Sequence, residues 1–264
     1  MQHNKLNFIG FLFSLIILLS LTSVSYSQDL KIITAGKIKN IVLVHGAFVD
    51  ASIWRKVIID LQRAGYNPVA VQLPMDSLKN DIKATQQVLD RENGPVILVG
   101  YSYGGMPVTQ VGIDPKVKGL VYFAAMAPDV GQSINDLLDR NAPGLPGQKA
   151  VEISKDGYYW LKPSLFGMAL ADDAPKNIVD VMSVSQKPIA VKTFSEKVTK
   201  AAWKYKPSWY AVSSEDKIVP VSLERHMAKE IGARTIELKT SHAAPLSQPE
   251  NVAAFISQAA TSIQ

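Results

Sequence analysis

The chain predicts an α/β fold: a mostly parallel central sheet of about six strands, helices on both faces, and a cap inserted between two strands. Three observations carry this. Short, wholly apolar runs such as Ile41-Val42-Leu43-Val44 and Val96-Ile97-Leu98-Val99 read as strands buried on both faces. Amphipathic stretches at helical spacing alternate with them, the pattern of parallel strands joined by helical crossovers. A length of 264 residues, 47% hydrophobic and 19% charged, suits one large packed domain and excludes a disordered or fibrous chain.

The first 27 residues precede that fold. Lys5 is followed by an apolar run over residues 8–21, shorter than the roughly 20 residues a membrane-spanning helix needs. Ser25 and Ser27 then supply the small residues of a cleavage site. Residues 1–27 read as a secretory signal peptide, and 28–264 as the folded domain. The mature protein is expected to be exported, periplasmic or secreted, without a stable membrane anchor; a retained anchor is the alternative.

After the first strand, Trp54, Val57, Ile58 and Leu61 recur at helical spacing up to Ala64-Gly65, a helix ending. Residues 69–73 read as a strand stopped by Pro74, and Ser77 as the cap of a helix carrying Leu78, Ile82, Val88 and Leu89. Residues 96–99, 119–123, 208–212 and 235–238 complete the strands. Ser247-Gln248-Pro249-Glu250 looks like a capping box for a last helix burying Val252, Phe255, Ile256 and Ala259. Residues 128 to about 206 break the alternation. They are rich in Pro, Gly and Asp, carry Tyr158-Tyr159-Trp160, Phe166 and Trp203, and predict a helical cap.

Composition removes several functions. With no cysteine there is no disulfide, Cys-ligated metal or thiol nucleophile. Four histidines, one of them His3 in the leader, argue against a His-rich metal site, and no metal or organic cofactor is expected. The net charge is +5, but the basic residues are scattered among acids; Lys197, Lys200, Lys204 and Lys206 are the densest group. That is no stripe for nucleic acid.

Chemistry enters at Gly100-Tyr101-Ser102-Tyr103-Gly104, a G-x-S-x-G directly between a buried strand and a helical stretch. In such an elbow the serine is lifted above the sheet edge at the positive end of a helix dipole, and the flanking glycines relieve crowding. A serine hydroxyl needs a base, and the base an orienting acid, in the order Ser, acid, His. His242, after the strand at 235–238, is the base by elimination: His226 sits on a helix as a solvated polar residue, and His45 precedes the serine. Asp216 is the favoured acid, with neighbouring Glu215 and Asp129 as alternatives. The oxyanion donors would be the N–H groups of Tyr103 and of Ala47, with Phe48 a second possibility.

With these residues the chain resembles an α/β-hydrolase, and most closely the small bacterial esterase-like members related to plant methylesterases and hydroxynitrile lyases. The stretches VLVHGAFVDASIW, GPVILVGYSYGG, KPSWY, EDKIVP and SHAAPLSQPE carry the likeness. It implies Ser102 as nucleophile, His242 as base, Asp216 as acid, an oxyanion hole at Ala47 and Tyr103, and a helical cap. Hydroxynitrile lyases of this group use a lysine where this chain has Ala243 and a threonine where it has Gly46, which argues against cyanohydrin cleavage. Relatives often place histidine where this chain has Tyr101. The expected activity is hydrolysis of a small apolar carboxylic ester through an acyl-enzyme. Amide, thioester or acyl-transfer chemistry, or a retired small-molecule-binding member, are the alternatives.

Overall fold

The structure is a computed structural model that describes residues 37–138 and 144–263; the leader expected at 1–27 lies outside the described residues. Apolar content sorts the strands by depth. In β1 (Asn40–Val44) only the first residue is less than buried, and β3 (Val96–Tyr101) is buried throughout. β4 (Val117–Phe123) exposes only Lys118, and β8 (Ser208–Ser213) is wholly buried. These four form the middle of a six-stranded sheet in the order β2-β1-β3-β4-β8-β9, parallel at every pairing. Its edges, β2 (Asn67–Val71) and β9 (Arg234–Leu238), leave most of their residues partly or fully exposed.

β2 lies two residues earlier than the sequence suggests. It accommodates Pro68 because it is an edge strand. It does not reach Leu73, whose N–H goes to His45 Nε2 at 3.0 Å instead of to a neighbouring strand.

Helices close both faces of the sheet. α1 (Arg55–Arg63) follows a 3₁₀ turn at Ala51–Trp54, buries Val57 and Leu61, and ends where Gly65 takes φ 83°. α2 (Leu78–Arg91) begins at Ser77, whose hydroxyl accepts the Asn80 N–H at 3.3 Å. α3 (Gly105–Val111) packs on α2, while α9 (Pro249–Ser262) packs on α1 and reaches β3 and β4. The capping box expected at the start of α9 is not formed. Ser247 belongs to a preceding short helix, α8 (Ala244–Ser247), and its hydroxyl pairs with that of Thr240 at 2.7 Å.

Between β4 and β8 the cap contains α4 (Ile134–Leu138), α5 (Pro163–Leu170) and α6 (Lys176–Ser185), but it is not purely helical. β5 (Val151–Ile153), β6 (Tyr158–Leu161) and β7 (Ile189–Ala190) form a three-stranded antiparallel sheet within it. The aromatic run Tyr158-Tyr159-Trp160 explains the correction, since such residues favour a pleated surface over a helix.

The chain runs from β1 outward to β2 and then returns to β3 on the other side of β1. Strand order therefore reverses between β1 and β3, and the loops leaving their carboxyl ends diverge, opening a crevice of the kind that holds ligands in such sheets. Val44 is in register with Gly100, so the residues after each strand, His45-Gly46-Ala47 and Ser102, meet there.

Candidate active site

Ser102 sits at the turn from β3 into α3 with φ 54°, a left-handed conformation costly for a residue with a side chain. The surroundings hold it there. Its carbonyl accepts the Met126 N–H at 3.0 Å. A Cβ on Gly104 would come within 2.5 Å of the Val44 carbonyl oxygen, so glycine alone permits this close approach.

His242 reaches Ser102 from the loop between β9 and α8. Its Nε2 lies 2.8 Å from Ser102 Oγ, and its Nδ1 pairs with Asp216 Oδ2. Asp216 follows β8 in a tight turn, where Oδ1 accepts the N–H groups of Ile218 and Val219, both at 2.8 Å. His242 and Asp216 are 2% and 6% exposed, so their pairing is shielded from solvent. The structure thus brings Ser102, His242 and Asp216 together in one line. Of the alternative acids, Glu215 lies near Lys239 at 3.8 Å, about half exposed, and Asp129 pairs with Lys204 at 2.5 Å.

Ala47 lies in the turn after β1, and no backbone hydrogen bond is made by its N–H among the described residues. Tyr103 opens the helical turn after Ser102, where N–H groups have no intrahelical acceptor. Both residues line the same cavity as Ser102 and His242. The adjoining Phe48 has φ 65°. At Gly46 a Cβ would meet Ser102 Cβ at 2.7 Å and the Tyr101 ring at 3.1 Å. No branched side chain fits at position 46, in keeping with the departure from the threonine of hydroxynitrile lyases.

His45 holds this loop instead of reacting. Its Nε2 accepts the Leu73 N–H, so the proton sits on Nδ1, which donates to the Gly46 carbonyl at 2.9 Å. Burial lowers its pKa to about 4, against the raising effect of the Gly46 carbonyl, and the ring stays neutral. His226 is half exposed on α7 (Val221–Glu230) and lies 3.4 Å from Glu230.

Three supporting carboxyl groups escaped the sequence reading. Asp173, in the cap, accepts the Ser241 N–H at 2.9 Å and the Ser241 hydroxyl, tying the cap to the residue before His242. Burial opposes its charge, but these Ser241 bonds prevail and hold the carboxyl below its ordinary range. Asp81 accepts the Tyr103 hydroxyl at 2.5 Å and the Met75 N–H at 2.8 Å, and burial raises its pKa to about 6. Glu224 is fully buried on α7. For the last two a signal existed: each stands on the apolar stripe of its helix, Asp81 with Leu78 and Leu89, Glu224 with Leu223 and Met227.

Over the Ser102 hydroxyl lies a cavity of about 320 Å³. Phe48, Met126, Ile134, Leu170, Phe194 and Val219 give it an apolar wall, and Asn135, Gln148 and Tyr159 are its polar residues besides Ser102, Tyr103 and His242. No Asp, Glu, Lys or Arg lines it among the described residues. Nor does any group of three or more His, Asp or Glu side chains among them have the geometry to hold a metal ion.

A family model described as the alpha/beta hydrolase family matches residues 41–255. The chain belongs to that family. It is 26% identical over 251 residues to an alpha-hydroxynitrile lyase and 26% identical over 255 residues to methylesterase 7, both of Arabidopsis thaliana. Each alignment covers 83% of this chain, and 96% and 95% of those relatives. A pyrethroid hydrolase from Sphingobium faniae JZ-2 superposes with a TM-score of 0.73 at 21% identity, covering 84% of this chain and 97% of that one. That likeness establishes the shared fold. The resemblance read from the sequence, to methylesterases and hydroxynitrile lyases, agrees with these relatives.

Proposed function

We propose that this alpha/beta hydrolase cleaves small, uncharged, apolar carboxylic esters through an acyl-enzyme on Ser102. One observation carries the reading: His242 Nε2 lies 2.8 Å from the hydroxyl of a serine held in left-handed backbone, with Asp216 on the far side of the ring. Ser102 Oγ attacks the ester carbonyl carbon as His242 Nε2 takes its proton. The N–H groups of Ala47 and Tyr103 receive the oxyanion, an interaction worth about 3 kcal/mol per donor at the transition state. Collapse breaks the C–O bond to the alcohol, which leaves with the proton from His242. Water, deprotonated by His242, then attacks the acyl carbon and frees the acid and Ser102. Asp216 holds the ring with Nδ1 protonated throughout.

Two further facts support this substrate class. The wall of the cavity is apolar and free of charged side chains among the described residues, so a charged acyl group would be desolvated without a partner. The named activities of relatives, a methylesterase and a pyrethroid hydrolase, fit ester cleavage. Replacing Ser102 by Ala should abolish hydrolysis of aryl acetates and prevent covalent labelling by an organophosphonate. Undiminished turnover in S102A would overturn the assignment. The mature enzyme is proposed to act after export, as residues 1–27 suggest.

A further inference from the structure

Glu224 is 0% exposed, on the face of α7 that turns toward β8. Its Oε2 accepts the Ser213 N–H at 2.9 Å, and its Oε1 is enclosed without a donor. The carboxyl lies against Asp216, whose own oxygens already serve Ile218, Val219 and His242. Arg225 is the positive charge that acts on it, and it opposes burial and the Asp216 charge more weakly than either favours the neutral acid. Arg225, next on the helix, is turned outward and forked onto Glu237 at 2.8 and 2.9 Å. Tyr101 on β3 and Tyr210 on β8 are buried phenols held neutral, their pKa values pushed well up by burial and by neighbouring carboxylates. His242 pairs with Asp216 on the other side of that carboxylate. Two adjacent ionised carboxylates cannot persist in such a site. Burial first, and the Asp216 charge second, push the Glu224 carboxyl well above its ordinary range.

We propose that Glu224 is a positioning residue: a neutral carboxylic acid whose proton is donated in a hydrogen bond to Asp216. The inference rests on the triad reading and adds a residue that acts only through Asp216, without touching the substrate. The Glu224–Asp216 pair then carries one proton and one negative charge. His242 faces a single anion, whose direction is fixed by the donor behind it and by the two backbone N–H groups. If Glu224 lost its proton, a second negative charge would favour the imidazolium form and disable His242 as a base.

Glutamine reproduces the neutral arrangement, since its carbonyl can accept from Ser213 while its amide donates to Asp216. Glu224→Gln should therefore keep kcat/KM within about threefold of wild type, and the acid limb of its pH profile should not move. Glu224→Leu removes the donor and should lower kcat about 10-fold to 100-fold with little change in KM. The infrared carbonyl band of a protonated carboxyl should be present in wild type at about pH 8, where Asp81, raised only to about 6, is ionised. It should vanish in Glu224→Gln. A displacement of the acid limb by a full pH unit in Glu224→Gln, or no such band in wild type, would mean that Glu224 is ionised and the proposal is wrong. If Glu224→Leu does not fold, the glutamine variant alone decides. Failure of the triad reading is separable: wild type itself would then resist organophosphonate labelling.

Discussion

Asp216 offers His242 only one of its two oxygens, because Oδ1 is bound by the Ile218 and Val219 N–H groups and Oδ2 is left for Nδ1. The turn thereby dictates what an asparagine would do at this position. Its carbonyl would keep the two backbone donors and its amide would point at His242. An amide donates, so Nδ1 would have to accept and Nε2 would carry the proton toward Ser102, the wrong tautomer for a base. Asp216→Asn should fold normally by near-ultraviolet circular dichroism and lose about 10³-fold to 10⁴-fold in kcat. A loss under tenfold would remove Asp216 from the triad.

Gly46 is crowded from two sides, by Ser102 Cβ and the Tyr101 ring. Gly46→Ala should displace the nucleophile or the oxyanion loop and cost about 100-fold in kcat/KM, since misplacement by about 1 Å is enough for that. Steady-state kinetics on an aryl acetate, with organophosphonate labelling rates alongside, would check it.

The cap grips the histidine loop through Asp173. Asp173→Ala leaves the Ser241 N–H without its acceptor, at a cost of about 1–3 kcal/mol if water does not replace it. We expect faster amide hydrogen exchange at residues 240–243 and a fall in kcat larger than any change in KM. Unaltered exchange there would show that the Leu170 carbonyl, which takes the Ala243 N–H at 2.8 Å, holds the loop by itself.

Two buried groups set opposing acid responses. His45 has its pKa lowered from 6.5 to about 4, so the unfolded chain binds its proton more readily and stability is lost as pH falls from about 6.5 toward 4. Asp81 has its pKa raised from 3.8 to about 6, so the folded chain holds that proton more tightly and stability is lost as pH rises across about 4 to 6. Each amounts to about 3 kcal/mol, and in the shared window they largely cancel. Asp81→Asn should remove the second effect. Its stability relative to wild type should be about 3 kcal/mol more favourable at pH 7 than at pH 4, read by urea unfolding. A difference independent of pH would refute the assignment to Asp81.

Export can be tested directly. N-terminal sequencing of the protein recovered outside the cytoplasm should begin near Gln28, whereas recovery of the intact chain in membranes would point to a retained anchor.

By itself the sequence determined the parallel sheet and its central strands, because buried strands must be continuous apolar runs and those runs are local. It likewise marked Ser102, since a strained elbow demands glycine at fixed offsets, and singled out His242 from so few histidines. Tertiary structure decided the rest. Asp216 was separable from Glu215 and Asp129 only once the turn after β8 aimed its carboxyl at the ring. Ser247 looked like a cap until Thr240 took its hydroxyl, and the cap's strands depend on partners up to 32 residues away, as Tyr158 and Ala190 are. Glu224 and Asp81 show on their helices only as charges on an apolar stripe. What a buried carboxyl does depends on which donors and charges surround it, and those come from chain segments that spacing along one helix does not reveal.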